Sequence, residues 1–357
     1  MINQMEPWIG EEERKAVDEY LGSGGWLTEF KKTAEFARMI GDYVGSKHCF
    51  ILANGTVTLY TALAAVGVGP GDEVIVPDYT MIATPNSVVL AGAKPVFVDV
   101  DPSNLCLDLD LAEAAITPRT KAIMLVSING RAPDMRRALE IARKHNVFLI
   151  EDAAQSLGSR WQGKHLGSFG VIGSFSFSAP KIITTGQGGA LVTDDDELAE
   201  RIRQIRDFGR RKSGVDFHLS IGYNFKFTDL QAVIGVEQMK KLDWRVQRKK
   251  EMFALYRTLL HDLEEVKFLP TSEEVPPWFI DVLVPDPAGL GEYLKNHEIG
   301  SRPFYPALHS QPAYNWPGSY PNAEYAAQHG LWLPSSSFLT DQQVGTICSG
   351  IRMYYQH

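Results

Sequence analysis

The chain has 357 residues, 44% hydrophobic and 22% charged, enough to bury a large core and to build a large domain plus a smaller one. A formal net charge of −8 leaves no electrostatic footprint for nucleic acid, so the short basic runs Arg136-Arg137 and Arg210-Arg211-Lys212 read as solvated helix ends or loops, and an anionic ligand needs a local basic patch. The widely spaced Cys49, Cys106 and Cys348 suggest neither a disulfide framework nor a metal pair; no apolar run reaches membrane length, and the N-terminal stretch turns acidic early, so the expected location is the cytoplasm with no membrane partner.

In chain order, Glu11–Leu21 carries helical spacing in Ala16, Val17, Tyr20 and Leu21, and Gly22-Ser23-Gly24-Gly25 stops it. Trp26 follows, and a second helix over Lys31–Tyr43 precedes the apolar stretch Cys49–Leu52. Asn54-Gly55-Thr56 then opens a helix that Gly67 and Gly69 close. Amides at a helix N-terminus are orphan donors with partial positive charge, so a phosphate would sit well on Gly55 and Thr56; a plain N-cap at Asn54 is the alternative. From Glu73 to Ile150 short β-rich runs (Glu73–Pro77, Pro95–Val98, Ala122–Ser127, Val147–Ile150) alternate with helical ones (Ile82–Ala91, Asp134–His145). That alternation predicts a mostly parallel sheet covered by helices, with ligands gathered at the strand ends. No G-x-G-x-x-G follows an early strand, which argues against a dinucleotide fold.

The run Val147–Gly158 ends its apolar stretch in Glu151 and Asp152, and Gln155, three residues on, is predicted to share a face with Asp152 on a helix beginning there. Gly158–Lys164 has the spacing of a phosphate-binding P-loop, but His165 stands where Ser or Thr is needed and no helical run follows, so it reads as a hairpin. In Ser174–Gly189 a single lysine, Lys181, stands among small, hydroxylated and glycine residues after a short strand. Ser174 and Ser176 point to one side of that strand, Phe175 and Phe177 to the other. An aldehyde cofactor needs an amine to hold it and an acid to keep its ring nitrogen protonated. Lys181 and Asp152 are the natural pair for pyridoxal phosphate (PLP).

Beyond this, Asp195–Phe208 reads as a helix, Arg211–Ser220 as an irregular loop, and Thr228-Asp229 as the start of a strong helix. Trp244–Leu260 is a further helical stretch, Trp278–Val284 alternates like a strand, and Ala288–Asn296 and Asp341–Tyr354 are helical. The predicted division is a large domain over 1–240, with an N-terminal arm over 1–30, and a small domain over 241–357.

Asn54-Gly55-Thr56, Glu151-Asp152-Ala153-Ala154-Gln155, Ser174-Phe175-Ser176-Phe177, Lys181 with Thr184-Thr185-Gly186-Gln187-Gly188-Gly189, and Gly222-Tyr223-Asn224 occur in this order. From about Pro7 to the C-terminus the chain thereby resembles the DegT/DnrJ/EryC1/StrS sugar aminotransferases. The resemblance implies a PLP-dependent transferase of fold type I: an α/β large domain with a mostly parallel mixed sheet, and a smaller α+β C-terminal domain. It implies transfer of an amino group from glutamate, through pyridoxamine phosphate (PMP), to a nucleotide-linked keto-sugar, in a homodimer with shared active sites. Residue by residue it implies Lys181 as the catalytic amine, Gly55, Thr56 and Ser176 on the cofactor phosphate, and Asp152 on the pyridine nitrogen. Gln155 would touch the phenolic oxygen, and Asn224 would reach the neighbour's cofactor phosphate. Where the family offers an aromatic ring to stack on the cofactor, this chain has Met81, with Tyr79 as the alternative. Trp26 matches a segment near the sugar pocket, although packing of the arm explains it as well. Arg302-Pro303-Phe304-Tyr305-Pro306 with His309 resembles the sugar side of perosamine synthases, which favours a GDP-linked 4-keto-6-deoxy hexose; a structural role is the alternative for His309. UDP- or dTDP-linked 3- and 4-keto sugars use the same scaffold. A PLP- or PMP-dependent sugar dehydratase, in which histidine characteristically replaces the lysine, is disfavoured by Lys181. Retention of both Asp152 and Lys181 disfavours a non-catalytic regulatory protein.

Overall fold

The computed structural model describes residues 1–356. Continuous apolar runs such as Val74–Val76 and Ala122–Val126 are buried along their length, the pattern of strands covered on both faces. They form a seven-stranded sheet in the order His48–Leu52, Gly189–Thr193, Ile172–Ser176, Phe148–Asp152, Thr120–Val126, Glu73–Pro77, Lys94–Val98. Gly189–Thr193 alone runs antiparallel to its neighbours, so the sheet is mixed and mostly parallel, as expected. Helices begin where the sequence places capping residues. Asn54, Asp134, Asp195 and Thr228 each accept amides of the first helical turn, and each helix therefore starts one residue after its polar cap.

A second, antiparallel sheet orders Lys267–Phe268, Ile280–Leu283, Gly330–Leu333 and Arg302–Pro303. Its core joins Ile280, Val282 and Leu331 to Met252 and Tyr256 of the helix Leu242–Leu259, Leu290 of Pro287–Asn296, and Ile347 and Ile351 of Asp341–Gln356. Two buried polar contacts tie this sheet to the large one, and a third, from Lys249, ties it to the helix Leu242–Leu259. Arg131 forms a two-point ion pair with Asp281, Nη1–Oδ1 3.1 Å and Nη2–Oδ2 2.7 Å. Asn129 donates to the Phe279 carbonyl and accepts from its amide, at 2.8 and 2.7 Å. Lys249 Nζ donates to the carbonyls of Trp278, at 2.8 Å, and Ser335.

Three local expectations need comment. Residues 153–159 form successive turns, not a helix: Ser156 and Ser159 donate back to the carbonyls of Ala153 and Ser156, and Gly158 takes φ +96°, where a Cβ would lie 2.5 Å from Val246 Cγ2. The stretch predicted irregular after residue 210 is a β-hairpin of Arg210–Lys212 and Val215–His218. The P-loop-like segment is the expected hairpin, Arg160–Trp161 paired with Lys164–His165.

Candidate active site

The carboxyl ends of four parallel strands gather the chemistry, as the topology demands. On Phe148–Asp152 the side chains alternate, and the two acids part company. Glu151 faces away and takes the amides of Gly167, Phe169 and Gly170, at 2.7, 2.5 and 2.7 Å, clamping the loop ahead of the next strand. Asp152 faces the site. It is 5% exposed and accepts the Thr84 hydroxyl at 2.8 Å and the Ala154 amide at 3.2 Å. Burial holds its pKa above the usual aspartate value against those bonds and the attraction of Lys181.

Lys181 lies on a turn after the strand Ile172–Ser176, its amide bonded to the Ser178 carbonyl at 3.0 Å. Burial of its ammonium lowers the pKa to about 8, with Asp152 pulling it back up. The two charges thus act on one another. The Lys181 ammonium also sits 3.9 Å above the Trp278 ring centroid.

Ser174 and Ser176 share the side of their strand that faces the helix Gly55–Ala65: Ser174 Oγ lies 2.7 Å from Thr58 Oγ1. Phe175 and Phe177 fill the opposite core. Gly55 comes so close to Ser176 that a Cβ would stand 3.0 Å from Ser176 Cβ. Asn54 acts as the N-cap, accepting from the amides of Thr56 and Val57 at 3.1 Å each; the Gly55 amide is not one that it takes.

The residues present fit pyridoxal phosphate. A backbone cradle at Gly55, close against the Ser176 side chain, suits a phosphate at a helix N-terminus. A buried carboxylate suits a protonated ring nitrogen, and a lysine with a depressed pKa suits an aldehyde.

Other candidates land differently. Gln155 is buried near the site without a helix to carry it; its Oε1 accepts the Asn129 amide at 2.6 Å. Tyr79 is 1% exposed and packs on Phe304 and Tyr305, a core ring with no face to offer a ligand. Met81, two residues on, is exposed, and its Sδ accepts the Ala83 amide at 3.0 Å. Tyr305 lies within electrostatic reach of Asp152, its pKa pushed up to about 12 chiefly by burial. His309 is anchored elsewhere: its amide donates to Asp78 Oδ1 at 2.8 Å, and Nδ1 lies 2.6 Å from Asp78 Oδ2. Its Nε2 lies 3.4 Å from Glu324 Oε1. Trp26 is 67% exposed on the arm and Asn224 is exposed after the 210–218 hairpin; neither meets Lys181 within one chain. Sequence reasoning missed Thr84 and Trp278. A threonine in a helix and a tryptophan ahead of a strand carry no local mark of the partners that folding gives them.

The family model for DegT/DnrJ/EryC1/StrS aminotransferases matches residues 7–352. The chain belongs to that family. Among relatives of this aminotransferase, the GDP-perosamine synthase of Caulobacter vibrioides is 37% identical over 340 residues, 91% of each chain. That of Escherichia coli O157:H7 is 34% identical over 355 residues, 98% of this chain and 97% of the relative. Among solved structures, DesV of S. venezuelae in complex with a ketimine intermediate superposes with a TM-score of 0.92 at 33% identity, covering 97% of this chain and 95% of that one. The aminotransferase therefore has the fold type I architecture expected of it, and the family makes it a PLP-dependent sugar aminotransferase.

Proposed function

We propose that this aminotransferase moves an amino group from glutamate to a nucleotide-linked keto-sugar, and that the sugar is GDP-4-keto-6-deoxymannose, giving GDP-perosamine for surface polysaccharide. The observation that carries the reading is the convergence of Lys181 and Asp152 at the strand ends beside the Gly55–Ser176 cradle. The names of the near full-length relatives support the sugar; UDP- and dTDP-linked keto-sugars are the second choice.

Bound PLP would supply an electron sink for the carbon losing its proton. Lys181 would hold the aldehyde carbon and, once displaced by the donor amine, move the proton from the donor's Cα to the cofactor's C4′. With a pKa near 8, its amine is populated in both protonation states near neutral pH, as a proton carrier needs. Asp152, which burial leaves short of a counter-charge, would stabilise the protonated ring nitrogen. Gly55, Thr56 and Ser176 would hold the phosphate, Gln155 the phenolic oxygen and Met81 the ring face. Tyr305 would face the sugar.

A homodimer with shared sites is part of the proposal. Its support is the row Val215, Phe217, Leu219, Ile221 and Tyr223, apolar at every second position and exposed, with Ile221 at 84%. Asn224 follows directly and would reach the neighbour's cofactor phosphate, and Trp26 on the exposed arm would flank the sugar. We place the domain boundary between 240 and 241, just ahead of the helix that joins the sheets, and the enzyme in the cytoplasm.

The test is the visible spectrum of the PLP-loaded protein before and after glutamate, without sugar. Loss of the protein-bound PLP band and formation of PMP supports the first half-reaction, and a panel of keto-sugars then reads the second. A band unmoved by glutamate refutes glutamate as donor. Absence of any protein-bound band refutes Lys181.

A further inference from the structure

Trp278 comes from the small sheet's side of the molecule, yet it makes two contacts with the turn that carries the lysine. Its ring lies under Lys181 Nζ at 3.9 Å, and its Nε1 donates to the carbonyl of Pro180, the residue before Lys181, at 2.7 Å. The side chain is 5% exposed and is fixed from several directions. It stacks on Phe279 with centroids 3.9 Å apart and meets Trp332 edge-on at 6.1 Å, while its carbonyl receives the buried Lys249 ammonium at 2.8 Å. A side chain so over-determined can act as a fixed seat for a flexible one.

Resting on the aminotransferase reading above, we propose that Trp278 is a positioning residue for Lys181: its indole face seats the lysine amine whenever that amine is not bonded to the cofactor, and its N–H sets the turn beneath it. A freed lysine has a flexible four-carbon stem with several rotatable bonds. Attraction of the ammonium to the negative face of the ring holds it at one place, between the small sheet and Asp152, the charged group that acts on it across the pocket. A lysine that has taken the donor's Cα proton is an ammonium, and the ring keeps it near its post to hand that proton on. Trp278 itself touches no reacting atom.

The experiment compares wild-type, Trp278→Phe and Trp278→Leu full-length enzymes. Two readouts are taken: single-turnover reaction of the PLP-loaded protein with glutamate bearing α-hydrogen or α-deuterium, and the pH dependence of reductive methylation of Lys181 in the cofactor-free protein, followed by mass spectrometry. Trp278→Phe keeps a π face and is expected within about threefold of wild type in rate. Trp278→Leu is expected to slow the proton-transfer step about 3- to 30-fold with a larger deuterium effect, the loss of one cation–π contact at a desolvated site. Its Lys181 is expected to titrate about half a unit to one and a half units lower, because the charged form loses its seat while burial persists. A wild-type rate and isotope effect in Trp278→Leu, or a Lys181 titration that stays put or moves up, overturns the proposal. Should Trp278→Leu fail to fold, Trp278→Phe decides it: a slowed proton transfer there denies the role to the ring face. Wild-type protein that never reacts with glutamate counts against the donor reading instead, so the two failures are distinguishable.

Discussion

Replacing Asp281 by Asn should destabilise the protein by about 3–5 kcal/mol, the cost of leaving a buried guanidinium without its counter-charge. Both partners of this pair are almost fully buried, at 3% and 2% side-chain exposure, so solvent cannot take over the role of Asp281. Burial disfavours the charged Arg131, and the adjacent carboxylate more than restores it, holding the guanidinium pKa above its usual value. The substituted carboxamide would keep an oxygen for one of the two bonds, and Arg131 Nε would still donate to the Asn104 carbonyl at 2.9 Å. What is lost is charge, not shape. The double replacement Arg131→Met with Asp281→Leu should recover most of the loss, because two apolar groups of similar size carry no desolvation penalty. The assay is urea unfolding followed by tryptophan fluorescence and by circular dichroism, since Trp278 and Trp332 flank this seam. A single variant that loses less than about 1 kcal/mol, or a double variant as unstable as the single, would refute the assignment of the pair as a desolvated, mutually dependent unit.

Lys181→Ala should abolish turnover while leaving circular dichroism and the melting temperature near wild type; sustained multiple turnover would deny the lysine its role. Ile221→Asp with Phe217→Asp should shift the protein to a monomer in analytical ultracentrifugation and lower activity with it, because charges would replace the apolar row of the hairpin. An unchanged sedimentation coefficient would remove that face from the interface. His165 is packed on Tyr43, and burial, aided by Arg160, lowers its pKa to about 4. The unfolded chain titrates this residue near 6.5 and so binds the extra proton between those values; stability therefore falls as pH drops through that window, by up to about 3 kcal/mol. His165→Phe should flatten that part of the stability–pH curve, and parallel curves for variant and wild type would contradict the sign.

The parts of the site that are legible in sequence are those whose logic is local. Strand alternation separates Glu151 from Asp152 and Ser174 from Phe175 within a few residues, and polar caps such as Asn54 and Asp134 mark helix starts by bonding amides two and three residues on. Reading fails where a long-range contact overrides local spacing. Spacing puts Gln155 on a helix face, but Gly158 must pass within reach of Val246 on the joining helix, and turns serve that close approach better. Gln155 finds the site through Asn129, whose φ of +53° turns its amide toward Gln155 and leaves its side chain for Phe279. Nor could local spacing foresee that Asp78, 231 positions away, would bond the ring of His309.

The same distinction explains why the small sheet matters to a reaction whose obvious residues all lie in the large one. Asp152 and Lys181 are each pushed toward neutrality by burial, and neither has the other in direct contact to offset it. A pocket of that kind is costly to keep dry unless something else limits where the charges go. Trp278 supplies a place for the cation, and Arg131 and Asn129 fix the segment that carries Trp278 to the large sheet, while Lys249 fixes it to the joining helix. Loosening that seam should therefore weaken catalysis before it unfolds the protein. In Asp281→Asn at a temperature well below its melting point, the first half-reaction with glutamate should slow while PLP affinity, which the proposal assigns to the cradle at Gly55 and Ser176, stays within about twofold. Equal losses of cofactor affinity and rate would mean that the seam supports the whole pocket and not the lysine's seat in particular.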